Sequence, residues 1–232
     1  MSLFAALESD KDNYENEILR FLLVLFAKLA SMESKNETIT SPSNEVQKKT
    51  KSKKSSLVYQ MCLVAIGTAL MAALSPISIP LEPVSITLAT LVVYLLGAVL
   101  PLKLASFPIL IYLILGFVGL PVFSKFQGGA QVILGPTGGF LMGYLPCILL
   151  ESLLITLFPS KKWMYPMAML AGTVVLYAFG VLWFVLYGGN SFIKGLTFCV
   201  LPFLPLDSFK IFIASLCGIR LRPLVDKKLA SR

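Results

Sequence analysis

Six long apolar runs follow one another between Leu57 and Ile219. In helical form, about 20 apolar residues cross the ~30 Å hydrocarbon core of a bilayer, and within that core every backbone N–H and C=O must find its partner inside the protein. The rule predicts spans near residues 57–79, 84–100, 102–120, 139–158, 165–187 and 199–219. Pro76, Pro80 and Pro83 mark the first gap, Pro101 the second, and a Gly-rich stretch from Pro121 to Gly138 the third; such residues punctuate helices. No alternation of period two competes with this pattern. The expected fold is an all-α membrane protein, a bundle of six transmembrane helices.

Composition supports that class. Of 232 residues, 56% are hydrophobic and 14% charged, which is more apolar surface than one soluble core hides. The net charge of +8 does not point to nucleic acid, because the Lys and Arg cluster in loops and tails rather than among aromatics on a polar face. The positive-inside rule accounts for them. If the N-terminal tail is cytoplasmic, the inner ends hold the lysines before Leu57, then Lys103, Lys161 and Lys162, and finally Arg220, Arg222, Lys227, Lys228 and Arg232. The outer loops hold only Lys125 and Lys194. Both termini are therefore expected in the cytoplasm.

Residues 1–56 form a separate N-terminal extension. Residues 31–56 have the composition of a disordered tail, charged and rich in Ser, Thr and Asn, with Lys48, Lys49, Lys51, Lys53 and Lys54 in one run. Residues 18–30 are apolar but interrupted by Arg20 and Lys28, and too short to span. They read either as an interfacial amphipathic helix or as residues ahead of a true start at Met32. Residues 57–221 are the membrane domain and 222–232 a basic cytoplasmic tail.

The chain has no histidine, which excludes Ser-His nucleophile pairs, His metal sites and His proton relays. Cys62, Cys147, Cys199 and Cys217 are scattered through apolar runs with no C-x-x-C spacing, so they read as small core hydrophobes. No nucleotide-binding motif occurs and no cofactor is implied.

Three constellations stand out. Asp207 and Lys210 lie three residues apart in the last apolar run, on one helical face. Charges at that depth usually face a bundle interior or a ligand path. The pair reads either as a structural ion pair or as a site offering acceptors beside donors to a polar ligand, and Pro202 and Pro205 make its approach irregular. The second constellation is Gly128-Gly129-Ala130-Gln131 followed by Gly135-Pro136-Thr137-Gly138-Gly139-Phe140. Its glycines permit close backbone approach, but it has no G-K-[ST] and no preceding strand, so it is no phosphate loop. The bland reading is a flexible external loop. The third is Ala65, Ala69 and Ala73 on the first span, a flat stripe for close helix packing either within the chain or against a partner.

These pieces, together with the segments Ile77 to Leu88, Gly116 to Phe123 and Pro202 to Lys210, resemble the BioY biotin transporters, the substrate-binding S components of energy-coupling factor transporters. The resemblance runs from about Leu57 to Ile219 in order. It implies that Asp207 and Lys210 bind biotin and that the 135–140 loop, through Thr137, Gly138, Gly139 and Phe140, helps to form and cover the pocket with Gln127 and Gln131. It also implies that Ala65, Ala69 and Ala73 dock on a transmembrane coupling protein, with ATP hydrolysed by partner subunits, in a bacterial cytoplasmic membrane. The chain departs from the family pattern at Phe140, Leu206 and Ala89, where Tyr, Gly and Gln are usual, which makes its pocket less polar.

Biotin suits the residues on chemical grounds as well. Its ureido ring offers two N–H donors and a carbonyl, its bicyclic body has apolar edges, and its tail ends in a carboxylate, a combination matched by Asp207 and Lys210 among apolar walls. The expected arrangement has Asp207 accepting from the ureido N–H groups and Lys210 meeting the ureido carbonyl or the carboxylate. Two rivals are an ion-coupled secondary carrier using Asp207 as its coupling site and an intramembrane enzyme. The second has only Glu151, alone on the fourth span and read as a helix-interface residue.

Overall fold

A computed structural model of the chain describes residues 45–79, 84–159, 161–189 and 191–230. The chain divides into two compact units, residues 1–49 and 50–232. Of the first, the described part is the helical backbone from Glu45; the extension over 1–44, with its apolar stretch at 18–30, lies outside the described residues.

The helices are α1 (Glu45–Leu74), α2 (Ala89–Val99), α3 (Leu102–Val118), α4 (Ala130–Ile133), α5 (Gly138–Leu157), α6 (Met164–Gly188), α7 (Phe192–Cys199) and α8 (Leu204–Ala230). A 3-10 turn at Ser124–Phe126 precedes α4. Helix α1 starts ahead of the first apolar run, so the lysine-rich residues 48–54 continue it; no Pro or Gly intervenes between Glu45 and Leu57, and Lys, Glu and Gln are good helix formers. At the other end α8 runs on through Pro223, so the segment expected as a tail from 222 begins as helix.

All six apolar runs appear as helix, but not all at crossing length. Among the described residues, Leu57–Leu74, α5 and α6 are long and apolar enough to cross a membrane, and α7 with α8 adds a fourth candidate bent by 51° at its break. That break falls at residues 200–203, where Pro202 stands and Pro205 enters the first turn of α8, the helical position proline tolerates best. Helix α2 has 11 residues and so rises only about 16 Å.

The expectation of a strand-free fold needs correction here. Residues 84–88 do not join α2; instead β1 (Ser78–Ile79) and β2 (Ile86–Thr87) pair antiparallel, Ser78 opposite Thr87 and Ile79 opposite Ile86. Prolines at 76, 80 and 83 lack the N–H that a helix interior requires.

The distribution of side chains is that of a membrane protein. Val174, Leu182 and Leu186 on α6, Phe212 and Leu216 on α8, and Phe117 and Val118 on α3 are exposed, whereas Thr90, Glu151, Ser152, Asp207, Lys210 and Arg222 are buried. Water does not favour so much outward apolar surface; lipid does. Charge is segregated along the bundle. Arg222 of α8 donates to the Ala98 and Leu100 carbonyls and to Thr156, so the α2–α3 junction, the end of α5 and the last turns of α8 share one end. Exposed Lys103, Arg220 and Lys227 flank it. Lys125 belongs to the opposite end, where its N–H donates to the Pro76 carbonyl at 3.3 Å.

Candidate binding site

Helices α2 and α8 pack closely because Gly218 has no side chain; a Cβ there would stand 2.5 Å from Ala98 Cβ. At their first turns the two helices meet where Thr90 Oγ1 reaches Asp207 Oδ1. Asp207, in the first turn of α8, benefits from the positive end of the helix dipole, and its N–H donates to the Phe203 carbonyl at 2.8 Å.

The buried Asp207 carboxylate is gripped from three sides. Lys210 Nζ donates to Oδ1 at 2.9 Å, Thr90 Oγ1 to Oδ1 at 3.2 Å, and Tyr177 Oη to Oδ2 at 2.8 Å. Lys210 further donates to Thr90 Oγ1 at 2.8 Å and to the Thr87 carbonyl at 2.9 Å. An ammonium has three donors and a carboxylate about four lone-pair sites. All three Lys210 donors are therefore engaged, while Asp207 keeps one acceptor site on Oδ2.

Asp207 lines a cleft whose empty space, counted out to its open mouth and so including solvent, is about 550 Å³. Tyr144, Leu176, Tyr177, Phe140 and Phe203 form its apolar and aromatic walls, with Thr87, Thr90, Thr137, Ser75, Ser85 and Ser124 as polar points. Phe140 and Phe203 stack at 5.8 Å with 16° between their planes. The Phe140 ring occupies space left by Gly180, where a Cβ would lie 2.3 Å from the ring.

The structure brings Asp207, Thr137 and Phe140 together around this cleft. Lys210 stands behind Asp207 and does not line it. Gly138 and Gly139 are buried next to the wall, where a Cβ on Gly139 would strike Phe179 O and Trp183. Trp183 Nε1 donates to the Gly135 carbonyl at 2.8 Å and so ties the Gly-rich segment to α6. Gln131 is exposed and folds back onto the Gly128 carbonyl at 2.8 Å. Gln127, also exposed, accepts from Phe123 N–H at 2.9 Å. That bridge holds Phe123 edge-on to Tyr112 at 5.4 Å as part of the cleft wall. The segment expected as a loop is thus a short 3-10 turn and α4, anchored on both sides.

Thr90, Tyr144, Tyr177 and Phe203 were missed by sequence reasoning. Thr87 and Thr90, three apart in an apolar run, were the available signal. On α1, Ala65, Ala69 and Ala73 are all exposed, while Leu63, Gly67, Leu70 and Met71 face the bundle. The stripe therefore lies on the outside of the chain. Of the departures from the family pattern, Ala89 is fully buried beside this site and Leu206 points outward.

The sequence profile of the BioY family matches residues 45–227. The chain belongs to the BioY family. Among its relatives, the biotin transporter BioY of Thermotoga maritima is 38% identical over 166 residues, covering 71% of this chain and 96% of that protein. The biotin transporter BioY2 of Lactococcus lactis is 33% identical over 164 residues, covering 71% and 90%. The crystal structure of the S component for biotin from an ECF-type ABC transporter superposes with a TM-score of 0.65 at 24% identity, over 75% of this chain and 93% of that one. The BioY fold thus extends over the membrane unit.

Proposed function

We propose that this BioY family member captures biotin at the end of its bundle opposite Arg222 and delivers it inward as the S component of an energy-coupling factor transporter. The observation that carries this reading is the Asp207 carboxylate, fixed by Lys210, Thr90 and Tyr177 with one acceptor site left toward an aromatic cleft. The biotin ureido N–H groups bind Asp207 Oδ2 and the Tyr177 oxygen. Lys210 holds Asp207 in orientation from behind. Phe140, Phe203 and Leu176 enclose the bicyclic body, and the tail points toward Thr137 and Ser124, so its carboxylate stays nearest water where desolvation costs least.

The charged end faces the cytoplasm, as the positive-inside rule requires, and the cleft opens outward. The exposed Ala65, Ala69 and Ala73 stripe docks on a transmembrane coupling protein, whose close approach needs small residues; associated ATPase subunits supply the energy. Thermal unfolding of the purified chain with biotin, thiamine or riboflavin tests the substrate. Biotin alone should raise the midpoint; stabilisation by another vitamin without biotin would overturn the assignment.

A further inference from the structure

The cleft carries charge at one place. Among the described residues that line it, Asp207 is the single charged side chain. Its own cation, Lys210, stands behind it with all three donors engaged on Asp207, Thr87 and Thr90. No ammonium or guanidinium is among those lining residues. The free carboxylate at the end of a biotin tail therefore meets no cationic partner in these walls and shares the cleft with an anion.

The polar groups left for a ligand tail are neutral. Ser124 lines the cleft, and its buried Oγ has no hydrogen-bond partner in the protein. Thr137, also in the wall, makes no side-chain capping bond to α5. The neighbouring cation is turned out of the site. Lys125 and Phe126 both have left-handed backbone, with φ of 58° and 56°, and both side chains are exposed while Ser124 stays in the wall. The amides that open α5 offer no seat for an anion either. The N–H groups of Gly138, Phe140 and Leu141 donate to the Gly135 and Thr137 carbonyls at 3.0, 3.1 and 3.3 Å, and Gly138 and Gly139 lie against Ile133, Phe179 and Trp183.

A carboxylate is acceptor-only, whereas a hydroxyl both donates and accepts, so Ser124 and Thr137 together can meet the C=O and the N–H of a carboxamide. An ionised carboxylate that leaves water unpaired also loses far more than a neutral amide does. The cleft is open at its mouth, which gives a substituent on the amide nitrogen a way out to solvent. We propose that the cleft accepts amides of the biotin carboxyl group, such as biotin joined to a lysine side-chain amine, at least as readily as free biotin, with Ser124 Oγ donating to the tail carbonyl. Ser124 is then a specificity-determining residue for the tail, as Asp207 is for the ureido ring. The proposal rests on the reading of the chain as a biotin carrier and adds the class of tail that the cleft takes.

Calorimetric titration of the purified full chain with biotin, its primary amide and its N-propyl amide provides the test. The primary amide matches the acid in shape and lacks its charge, and the N-propyl amide adds a substituent that must leave through the mouth. Both amides should bind at least as tightly as biotin. Ser124→Ala should weaken the primary amide by about fivefold, the scale of one neutral hydrogen bond, and Ser124→Thr, which keeps the hydroxyl, should restore most of that loss. Lys125→Gln should leave biotin affinity unchanged. Binding of the acid more than about threefold tighter than the primary amide overturns the proposal, and loss of that preference in Lys125→Gln would assign the carboxylate to Lys125 instead. Rejection of the N-propyl amide overturns it as well, because the walls then close over the tail. Unchanged amide affinity in Ser124→Ala removes Ser124 from tail recognition. A chain that binds biotin and refuses both amides keeps the functional reading and loses this one, whereas a chain that binds none of the three loses the functional reading.

Discussion

Lys210 Nζ lies 2.9 Å from Asp207 Oδ1 on the side away from the cleft, with its other two donors on Thr87 and Thr90. The arrangement leaves the carboxylate as the group that faces the cleft and makes the ammonium its support. Each charge depends on the other, because removing one partner of a buried pair leaves the other uncompensated, at a cost of about 3–5 kcal/mol.

Lys210→Met and Asp207→Asn should therefore each destabilise the protein, and the double variant should be less destabilised than the sum of the two. Denaturant midpoints of the four proteins give the coupling directly. Additive losses would show that the two side chains do not act as a pair. Biotin binding should be lost in every variant lacking Asp207.

Gly180→Ala tests the aromatic wall. The new methyl would stand 2.3 Å from Phe140 Cζ, forcing the ring toward the cleft at a strain of about 1–3 kcal/mol. Biotin affinity should fall by about tenfold or more, following that energy, and Phe140→Leu in the same background should recover the unfolding midpoint. Unchanged affinity in Gly180→Ala would mean that ligand does not contact this wall.

How far the sequence reveals this site depends on distance along the chain. Asp207 and Lys210 are legible because charge in an apolar run is costly wherever it lies, and their i, i+3 spacing places them on one face. Thr90 and Tyr177 are not, since they reach Asp207 across 117 and 30 residues and nothing local marks a hydroxyl as facing inward. The hairpin is hidden for another reason: strands of two residues are too short for a period-two pattern to register. Glu151 is visible as a lone intramembrane carboxyl, but its place against Gly97, where a Cβ would lie 2.5 Å from its Oε2, appears only when α2 and α5 are packed.

Sidedness is tested with single cysteines at 125 and 161 in a background lacking Cys62, Cys147, Cys199 and Cys217. An impermeant thiol reagent on intact cells should label position 125 and spare 161. The reverse pattern would invert the bundle and place the cleft on the inside.

Ala69→Leu adds bulk to the exposed stripe of α1. Association with the coupling protein, followed by co-purification from membranes, should drop, with biotin affinity of the isolated chain unchanged. Loss of biotin binding would place this face within the binding architecture.

The central claim is that the ureido N–H groups are read by Asp207 Oδ2 and the Tyr177 oxygen. Calorimetric titration of the purified chain with biotin and with an analogue methylated at the ureido nitrogens measures it. Removing a hydrogen bond to a charged acceptor costs about 1.5–3 kcal/mol, so the analogue should bind roughly ten- to a hundredfold more weakly. Equal affinity for the two compounds would contradict the account.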